Sequence, residues 1–369
     1  MSRTKQKNFW TRTPVIVIAA FICGFLWGSA FPCVKIGYRL FSVAADDTAS
    51  QLLFAGIRFT LAGVLVILFG SIGERRLLLP AGIPAGSPVP AYSGHSSGTN
   101  RARNRILDPI PTHNGLSSAS GSGKSAGRIS PDSIKMIIIL SAFQTIGQYF
   151  FFYIGMAHAS GVKASITEAS STFFAILIAA LVFHTEKLNY RKIIGCLVGF
   201  AGVLVILIPG NTLDFHVSFN GEGFILISTL MYAMSSSVMK QYSRREDTFV
   251  LSGYQFIFGG IVLTAAGALM GGHLSGFTPA STALLLYMSF ISAAAYTLWS
   301  ILLRHNPVSR IAVFGFINPV MGAILSALLL GEQNQAFSVY GLLSLVLVTA
   351  GIVIVYRLGE TGDGSLSPS

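Results

Sequence analysis

Ten apolar stretches of membrane-spanning length follow one another along the chain. A helix that crosses a hydrocarbon core of about 30 Å needs about 20 apolar residues. Charged residues make up only 11% of the 369 residues, against roughly 25% in a typical soluble domain. The sequence therefore predicts an all-α integral membrane protein. The predicted spans are 14–37, 51–72, 133–155, 162–183, 191–209, 221–241, 248–270, 281–303, 308–330 and 337–357.

The sequence also repeats itself. Val162-Lys163-Ala164, Thr185-Glu186 and Gly195 return as Val308-Ser309-Arg310, Gly331-Glu332 and Gly341, with a constant shift of 146 positions from Val162 to Val308. Five spans precede the link 209–220 and five follow it, so the second block enters the membrane from the opposite side. This pattern predicts ten transmembrane helices in two five-helix inverted-topology repeats, residues 14–209 and 221–357. Weaker matches in the same order are Phe59 with Phe256, Tyr149 with Tyr296, and Thr172 with Asn318.

Lys and Arg residues collect on one side of the predicted spans. With residues 1–13 inside the cell, the cytoplasmic segments hold 21 of the 25 Lys and Arg residues. Positive residues stay on the cytoplasmic side, so 1–13 and the tail 358–369 are both predicted to be cytoplasmic, in a multi-pass protein of the cell membrane. Residues 73–132, rich in Pro, Gly, Ser and Arg, are predicted to form a disordered basic loop on the same side. The net charge of +11 indicates orientation and contact with membrane lipid, because the basic stripe that nucleic acid requires is missing.

Motifs of enzymes and cofactor sites are missing from the predicted spans. There is no His-Glu-x-x-His, no Gly-x-Ser-x-Gly, no pair of carboxylates within the spans and no Cys/His cluster with metal-ligand spacing. Gly121-Ser122-Gly123-Lys124-Ser125 resembles part of a phosphate-binding loop, but Ser118 replaces its first glycine. We therefore expect neither an enzyme nor a cofactor.

Two opposite charges lie at similar depth in the predicted membrane. Glu168 is about six residues into span 4 and Arg58 about seven residues into span 2, and both spans begin on the outer side. At 1.5 Å per residue, Glu168 lies about 9 Å deep. A charged side chain in hydrocarbon is costly without a partner. We therefore hypothesise an Arg58–Glu168 ion pair that faces a central cavity, with a purely structural pair or an outward-reaching Arg58 as the alternative.

Other polar and aromatic side chains within the spans complete a candidate substrate site. Asn318 precedes Pro319 near the predicted midplane, where the missing amide hydrogen of proline frees backbone carbonyl groups. For any single Ser, Thr, Gln or aromatic residue, packing between helices explains its presence at least as well as substrate binding. The full candidate set is Trp27, Arg58, Gln144, Gln148, Tyr149, Glu168, Thr172, Tyr232, Gln255, Tyr296, Trp299 and Asn318.

Several short motifs resemble the drug/metabolite transporter superfamily, in its EamA-like branch. They are Phe25-Leu26-Trp27-Gly28-Ser29, Glu186-Lys187-Leu188 with Gly195 and Gly202, and Leu330-Gly331-Glu332 with Gly341 and Gly351. The resemblance implies ten helices in two inverted repeats around a cavity for small polar metabolites, with spans 5 and 10 at the periphery. Many such proteins export amino acids, nucleosides or related compounds, driven by a proton or by an exchanged solute. This chain departs from the family at Thr172-Phe173, where many relatives have a proline, and in its long 73–132 loop.

The sequence leaves three functions open. The first is a secondary transporter, a monomer or homodimer, that exports a small polar metabolite or drug. The second is a membrane-embedded enzyme that modifies lipid, and the third is a scaffold or sensor that acts through the basic loop.

Overall fold

A computed structural model describes residues 9–74, 78–80, 130–184, 188–207, 218–243, 245–306 and 313–355. Most of the predicted basic loop 73–132 and both terminal segments lie outside these residues. So do Glu186 and Lys187, which the sequence places at the turn after span 4.

All regular structure in the described ranges is helical, and seven of the helices are long and apolar enough to cross a membrane. The fold therefore agrees with a multi-pass membrane protein. The helices that correspond to the predicted spans are α1 (Thr13–Leu40), α2 (Thr48–Glu74), α3 (Pro131–His158), α4 (Gly161–Leu181), α5 (Tyr190–Leu207), α6 (Phe219–Tyr242), α7 (Thr248–Leu269), α8 (Pro279–His305), α9 (Ile317–Leu330) and α10 (Val339–Val353). The seven long ones are α1–α4 and α6–α8.

Most ends of these helices differ from the predicted spans by a few residues, but α9 begins at Ile317, nine residues after the predicted start at 308. The largest consequence is at α1, which continues to Leu40 rather than ending at residue 37. Lys35 and Arg39, which the sequence places at the outer end of span 1, therefore lie in the last turns of a helix. The helix stops where Ser42 takes a positive φ of 55°.

Helices α2 and α7 pack closely because glycines line their contact. A methyl group on Gly63 would lie 2.6 Å from the Gly253 carbonyl oxygen, and one on Gly260 would lie 2.9 Å from the Gly56 carbonyl oxygen. Small residues that let helix backbones approach are a common basis of helix association in membranes. The rings of Phe59 on α2 and Phe256 on α7 lie 5.4 Å apart at the same contact.

The main helix contacts join a helix of one half of the chain to a helix of the other half. Besides α2 with α7, the main contacts join α5 with α10, α1 with α8 and α9, α6 with α3 and α4, and α4 with α9. The α5–α10 contact again uses glycine, where the Ser344 hydroxyl donates to the Gly202 carbonyl oxygen at 2.6 Å. Most of the large buried core lies between α1, α2, α3, α7 and α8. Each half therefore depends on the other for its packing.

Candidate functional site

Two helices that approach each other near the middle of the structure are irregular at matching positions. Helix α4 is interrupted at Ala169, between the α-helical segments Gly161–Glu168 and Ser170–Leu181. Helix α9 is preceded by a 3₁₀ turn over Val313–Phe316. Under the shift of 146 positions, Ala169 corresponds to Gly315 in that turn. Interrupted helices of this kind form the binding sites of many transporters.

The causes of the two interruptions differ. Pro319 has no amide hydrogen to donate to the Gly315 carbonyl, which favours a turn before α9. Helix α4 has Phe173 at the position that corresponds to Pro319. Its turn nevertheless tightens, because the amides of Ala169 and Thr172 donate to carbonyl groups three residues earlier, at 3.1 and 3.2 Å. The lack of proline therefore does not leave α4 regular.

The register of α4 against α9 relates the level of Glu168 to that of Asn318. A methyl group on Gly161 would lie 2.6 Å from the Ser326 hydroxyl oxygen, and one on Gly322 would lie 2.6 Å from Ser165 Cβ. The two helices run antiparallel in this register, so the next turn sets Glu168 and Ala169 opposite Asn318 and Pro319. Helix α1 joins them at Gly24, where an added methyl group would lie 3.4 Å from the Asn318 amide nitrogen.

Aromatic side chains from α1 and α8 form a wall beside these residues. The Trp27 ring lies 5.7 Å from the Tyr296 ring and 5.4 Å from the Trp299 ring, both in edge-to-face geometry. The Tyr296 hydroxyl accepts a hydrogen bond from Gln144 Nε2 at 3.1 Å. Tyr296 also interacts with Tyr149 and lies within electrostatic range of Glu168. The structure thus brings together six of the predicted residues: Trp27, Gln144, Tyr149, Glu168, Tyr296 and Trp299.

The Glu168 carboxyl forms no ion pair with any residue that the structure describes. Its Oε2 atom is buried and accepts no hydrogen bond within the described part of the chain. The ion pair seen in that part joins Lys163 to Glu222 at 3.5 Å. Asn318 Oδ1 and Gln148 Oε1 are likewise buried and without a donor among the described residues.

The predicted Arg58–Glu168 ion pair is wrong. Arg58 is 3% exposed and bonds to α3 and α8. Its Nη1 donates to the Tyr153 hydroxyl at 2.6 Å, its Nη2 to the Ser292 hydroxyl at 3.1 Å and its Nε to the Met288 carbonyl at 3.2 Å. The guanidinium also lies 4.8 Å from the centre of the Phe59 ring. Depth along a helix suggested the pair, but Arg58 instead donates to three neutral acceptors on α3 and α8.

Gln255 resembles Arg58 in holding helices together. It is fully buried on α7, and its Oε1 atom accepts a hydrogen bond from the Thr145 hydroxyl at 3.0 Å. Thr172 and Tyr232 are half-buried on α4 and α6. The sequence did not suggest Tyr153 as the partner of Arg58. Tyr153 ends an aromatic run that shows no polar pattern, Tyr149-Phe150-Phe151-Phe152-Tyr153.

A small cleft lies about two turns of α1 beyond the aromatic wall. It encloses about 150 Å³ and is lined by Lys35, Tyr38, Arg39, Val43, Ala45, Met156 and Ala157. Lys35 is eight residues from Trp27, or about 12 Å along a helix.

Comparison with known proteins identifies the family. A solved crystal structure matches 96% of this chain and 100% of its own, with a TM-score of 0.57 at 14% identity, which supports the fold alone. An "uncharacterized transporter" from Archaeoglobus fulgidus is 28% identical over 52% of this chain and 67% of its own length. A "probable amino-acid metabolite efflux pump" from Salmonella typhimurium is 27% identical over 57% of this chain and 72% of its own. An "S-adenosylmethionine uptake transporter" from Rickettsia prowazekii is 24% identical over 52% of this chain and 64% of its own.

The sequence model of the EamA-like transporter family matches residues 119–208 and 219–357. These ranges cover more than half of the chain and include both interrupted helices. The short motifs in α1, α5, α9 and α10 agree with this assignment. The chain therefore belongs to the EamA-like transporter family.

Proposed function

We propose that the protein is a secondary active transporter that carries a small polar molecule across the cell membrane by alternating access. One observation carries the proposal: Glu168, a buried carboxyl without a partner among the described residues, lies on one of two interrupted helices that contact each other and come from different halves of the chain. A site built from both halves changes its accessibility when the halves move against each other. Membership of a transporter family supports the same conclusion.

The helix contacts support ten spans in two inverted repeats. The repeat makes α1–α5 the counterparts of α6–α10, in the same order. Exchanging each helix for its counterpart turns the contact of α1 with α9 into that of α6 with α4. In the same way α1 with α8 becomes α6 with α3, and α2 with α8 becomes α7 with α3; all six contacts occur. This correspondence favours repeats at 14–209 and 221–357, with both termini in the cytoplasm.

The proposed substrate site centres on Glu168 and the aromatic wall. Its members are Trp27, Gln144, Gln148, Tyr149, Glu168, Tyr296, Trp299 and Asn318, with Thr172 and Tyr232 at its edge. Arg58 and Gln255 position the helices around it. We propose export as the direction of transport, which a relative named as an efflux pump supports, with a proton or an exchanged solute as the driving partner.

Transport by the purified protein in liposomes tests the proposal. Liposomes with and without the protein are loaded with a metabolite extract, and the efflux of each compound is followed with and without a protonophore. At least one small polar compound should leave faster when the protein is present. The Asp46→Asn variant, which changes an exposed loop residue, should behave like the wild type. Equal efflux of every compound in both preparations would overturn transport.

The two alternatives give different results in the same preparations. An enzyme that modifies lipid would change the lipid composition of the liposomes, whereas a transporter leaves it unchanged. A scaffold that acts through the basic loop would lose its cellular phenotype on deletion of residues 76–130. A transporter with that deletion should retain efflux, because every helix of the proposed site lies outside the deleted segment.

A further inference from the structure

We propose that the site at Glu168 binds the cationic head group of an organic amine, a cargo whose positive charge carries N–H donors. This inference rests on the proposed transport function and names its substrate class. It is drawn from the hydrogen-bond inventory, the charge and the aromatic lining of the site.

The first observation is a set of buried acceptors that lack donors. Glu168 Oε2, Asn318 Oδ1 and Gln148 Oε1 are all buried, and no donor reaches them among the described residues. The Thr297 hydroxyl, next to Tyr296, is also buried without a partner there. Buried polar atoms in folded proteins are nearly always hydrogen-bonded, so a group of unbonded acceptors calls for a ligand that supplies donors. An ammonium group has N–H donors and no acceptor.

The second observation concerns charge. Glu168 is the acidic residue of the site, and no described Lys or Arg pairs with it. A cation bound beside this carboxyl would favour its ionised form. The nearest basic residue discussed above, Arg58, uses its Nη1, Nη2 and Nε atoms on Tyr153, Ser292 and Met288. A carboxylate or phosphate cargo would bring a second anion and further acceptors to this place. A cation balances the charge and satisfies the acceptors at once.

The third observation is the aromatic wall. Trp27 contacts Tyr296 and Trp299 at ring distances of 5.7 and 5.4 Å, and Tyr296 lies within electrostatic range of the Glu168 carboxyl. Cations are attracted to the faces of such rings, most strongly to Trp, and the attraction grows when water is excluded. An aromatic wall beside one carboxylate suits an organic cation and gives no comparable advantage to an anion.

Equilibrium binding to the purified protein in lipid nanodiscs tests this inference. The probes are phenethylamine, 2-phenylethanol and 3-phenylpropionate, which share a phenyl ring and an ethylene linker and differ in their head group. Radiolabelled phenethylamine is titrated, the other two compete, and empty nanodiscs correct for partitioning into lipid. We expect phenethylamine to bind at least tenfold more tightly than either competitor.

Variants assign the effect to the carboxyl. Glu168→Gln keeps the size of the side chain and removes the charge, and it should weaken phenethylamine binding about tenfold or more. Asp46→Asn, an exposed acidic residue on the loop after α1, is the matched control and should bind like the wild type. A thermal unfolding scan of each variant confirms that it is folded. A role for Glu168 as a proton carrier alone predicts unchanged amine affinity in Glu168→Gln.

Three results would overturn the inference: no amine binding at millimolar concentration, equal affinity for the three probes, or unchanged amine affinity in Glu168→Gln. Its failure can be told apart from failure of the proposed function. If liposomes transport a neutral or anionic compound but the protein binds no amine, the cationic substrate class is wrong and the transport function stands. If the protein binds the amine but transports no compound, the proposed transport function is wrong and the amine-binding site stands.

Discussion

Arg58 donates a hydrogen bond to the Ser292 hydroxyl at 3.1 Å, and this contact has a counterpart in the other half of the chain. Arg58 corresponds to Gln255 in the repeat, and Ser292 corresponds to Thr145, whose hydroxyl donates to Gln255 at 3.0 Å. Met288, whose carbonyl accepts from Arg58, corresponds to Ser141, which donates to the Gln255 carbonyl at 2.9 Å. An arginine and a glutamine therefore join equivalent helix pairs, α2 with α8 and α7 with α3.

Replacing Arg58 by glutamine should lower the free energy of unfolding less than replacing it by alanine. Arg58→Ala removes three buried hydrogen bonds, and at about 1 kcal/mol each it should lower the free energy of unfolding by about 3 kcal/mol. Arg58→Gln places at this position the residue that serves at Gln255, and it should lose about half as much. Unfolding in detergent, followed by circular dichroism, measures both. Arg39→Gln, an exposed arginine at the end of α1, is the control, and an Arg58→Ala variant as stable as this control would contradict the prediction.

The loop before α2 should give the protein part of its sensitivity to acid. Burial raises the pKa of Asp47, but hydrogen bonds from the Ser50 side chain and backbone outweigh it and leave that pKa below its ordinary value. A lowered carboxyl pKa stabilises the folded state above the ordinary Asp pKa of about 3.9, and this stabilisation is lost as the pH falls through the lower folded-state pKa. The Ser50 amide donates to Asp47 Oδ1 at 2.9 Å, an N-cap that asparagine can also supply.

Asp47→Asn should therefore retain most of its stability at neutral pH and lose less of it below about pH 4. Asp47→Ala should cost about 1 kcal/mol at neutral pH, because the cap is lost. Melting temperatures between about pH 7 and about pH 3 measure both effects. Asp46→Asn is the neighbouring control and should keep the wild-type pH profile; an Asp47→Asn profile that matched it would show that Asp47 is not responsible.

The close contact between α2 and α7 should be equally sensitive on both sides. A methyl group on Gly63 would lie 2.6 Å from the Gly253 carbonyl oxygen, and one on Gly260 would lie 2.5 Å from the Thr60 amide nitrogen. Gly63→Ala and Gly260→Ala should each destabilise the protein by about 1–3 kcal/mol through overpacking. Gly73→Ala, at the end of α2 with no atom within 4 Å of the added methyl, should be neutral or stabilising. A much larger loss for one of the pair than for the other would argue against equivalent packing.

The sequence predicted the helices well because length and hydropathy determine where an apolar segment can cross a membrane. Equivalent residues such as Phe59 and Phe256 were also identifiable from the repeat, and the structure places these two rings 5.4 Å apart. The direction in which Arg58 points was not predictable in this way. Helices that are apolar on all sides show no polar face, so depth alone suggested Glu168 as its partner.

Local irregularity and close packing were also beyond sequence reasoning. Residues Ala142–Gly147 of α3 form a π-helical turn, which changes the direction of Gln144 relative to a regular helix, and no proline or glycine pair marks its start. The approach of α1 to α9 depends on Gly24 and Gly28. Because the chain contains 39 glycines, their presence alone does not show which ones lie at helix contacts.

The repeated segment that contains Glu332 in the second half contacts the segment that contains Gly161 and Val162 in the first half. The Glu332 carboxylate, after α9, accepts hydrogen bonds from the amides of Gly161 and Val162 at 3.0 and 2.8 Å, and so caps the start of α4 in the other half. A carboxylate at a helix N-terminus satisfies free amides and interacts favourably with the helix dipole. Glu332→Ala should therefore cost about 1–2 kcal/mol of unfolding free energy, measured in detergent, whereas Gln333→Ala, an exposed neighbour, should cost much less.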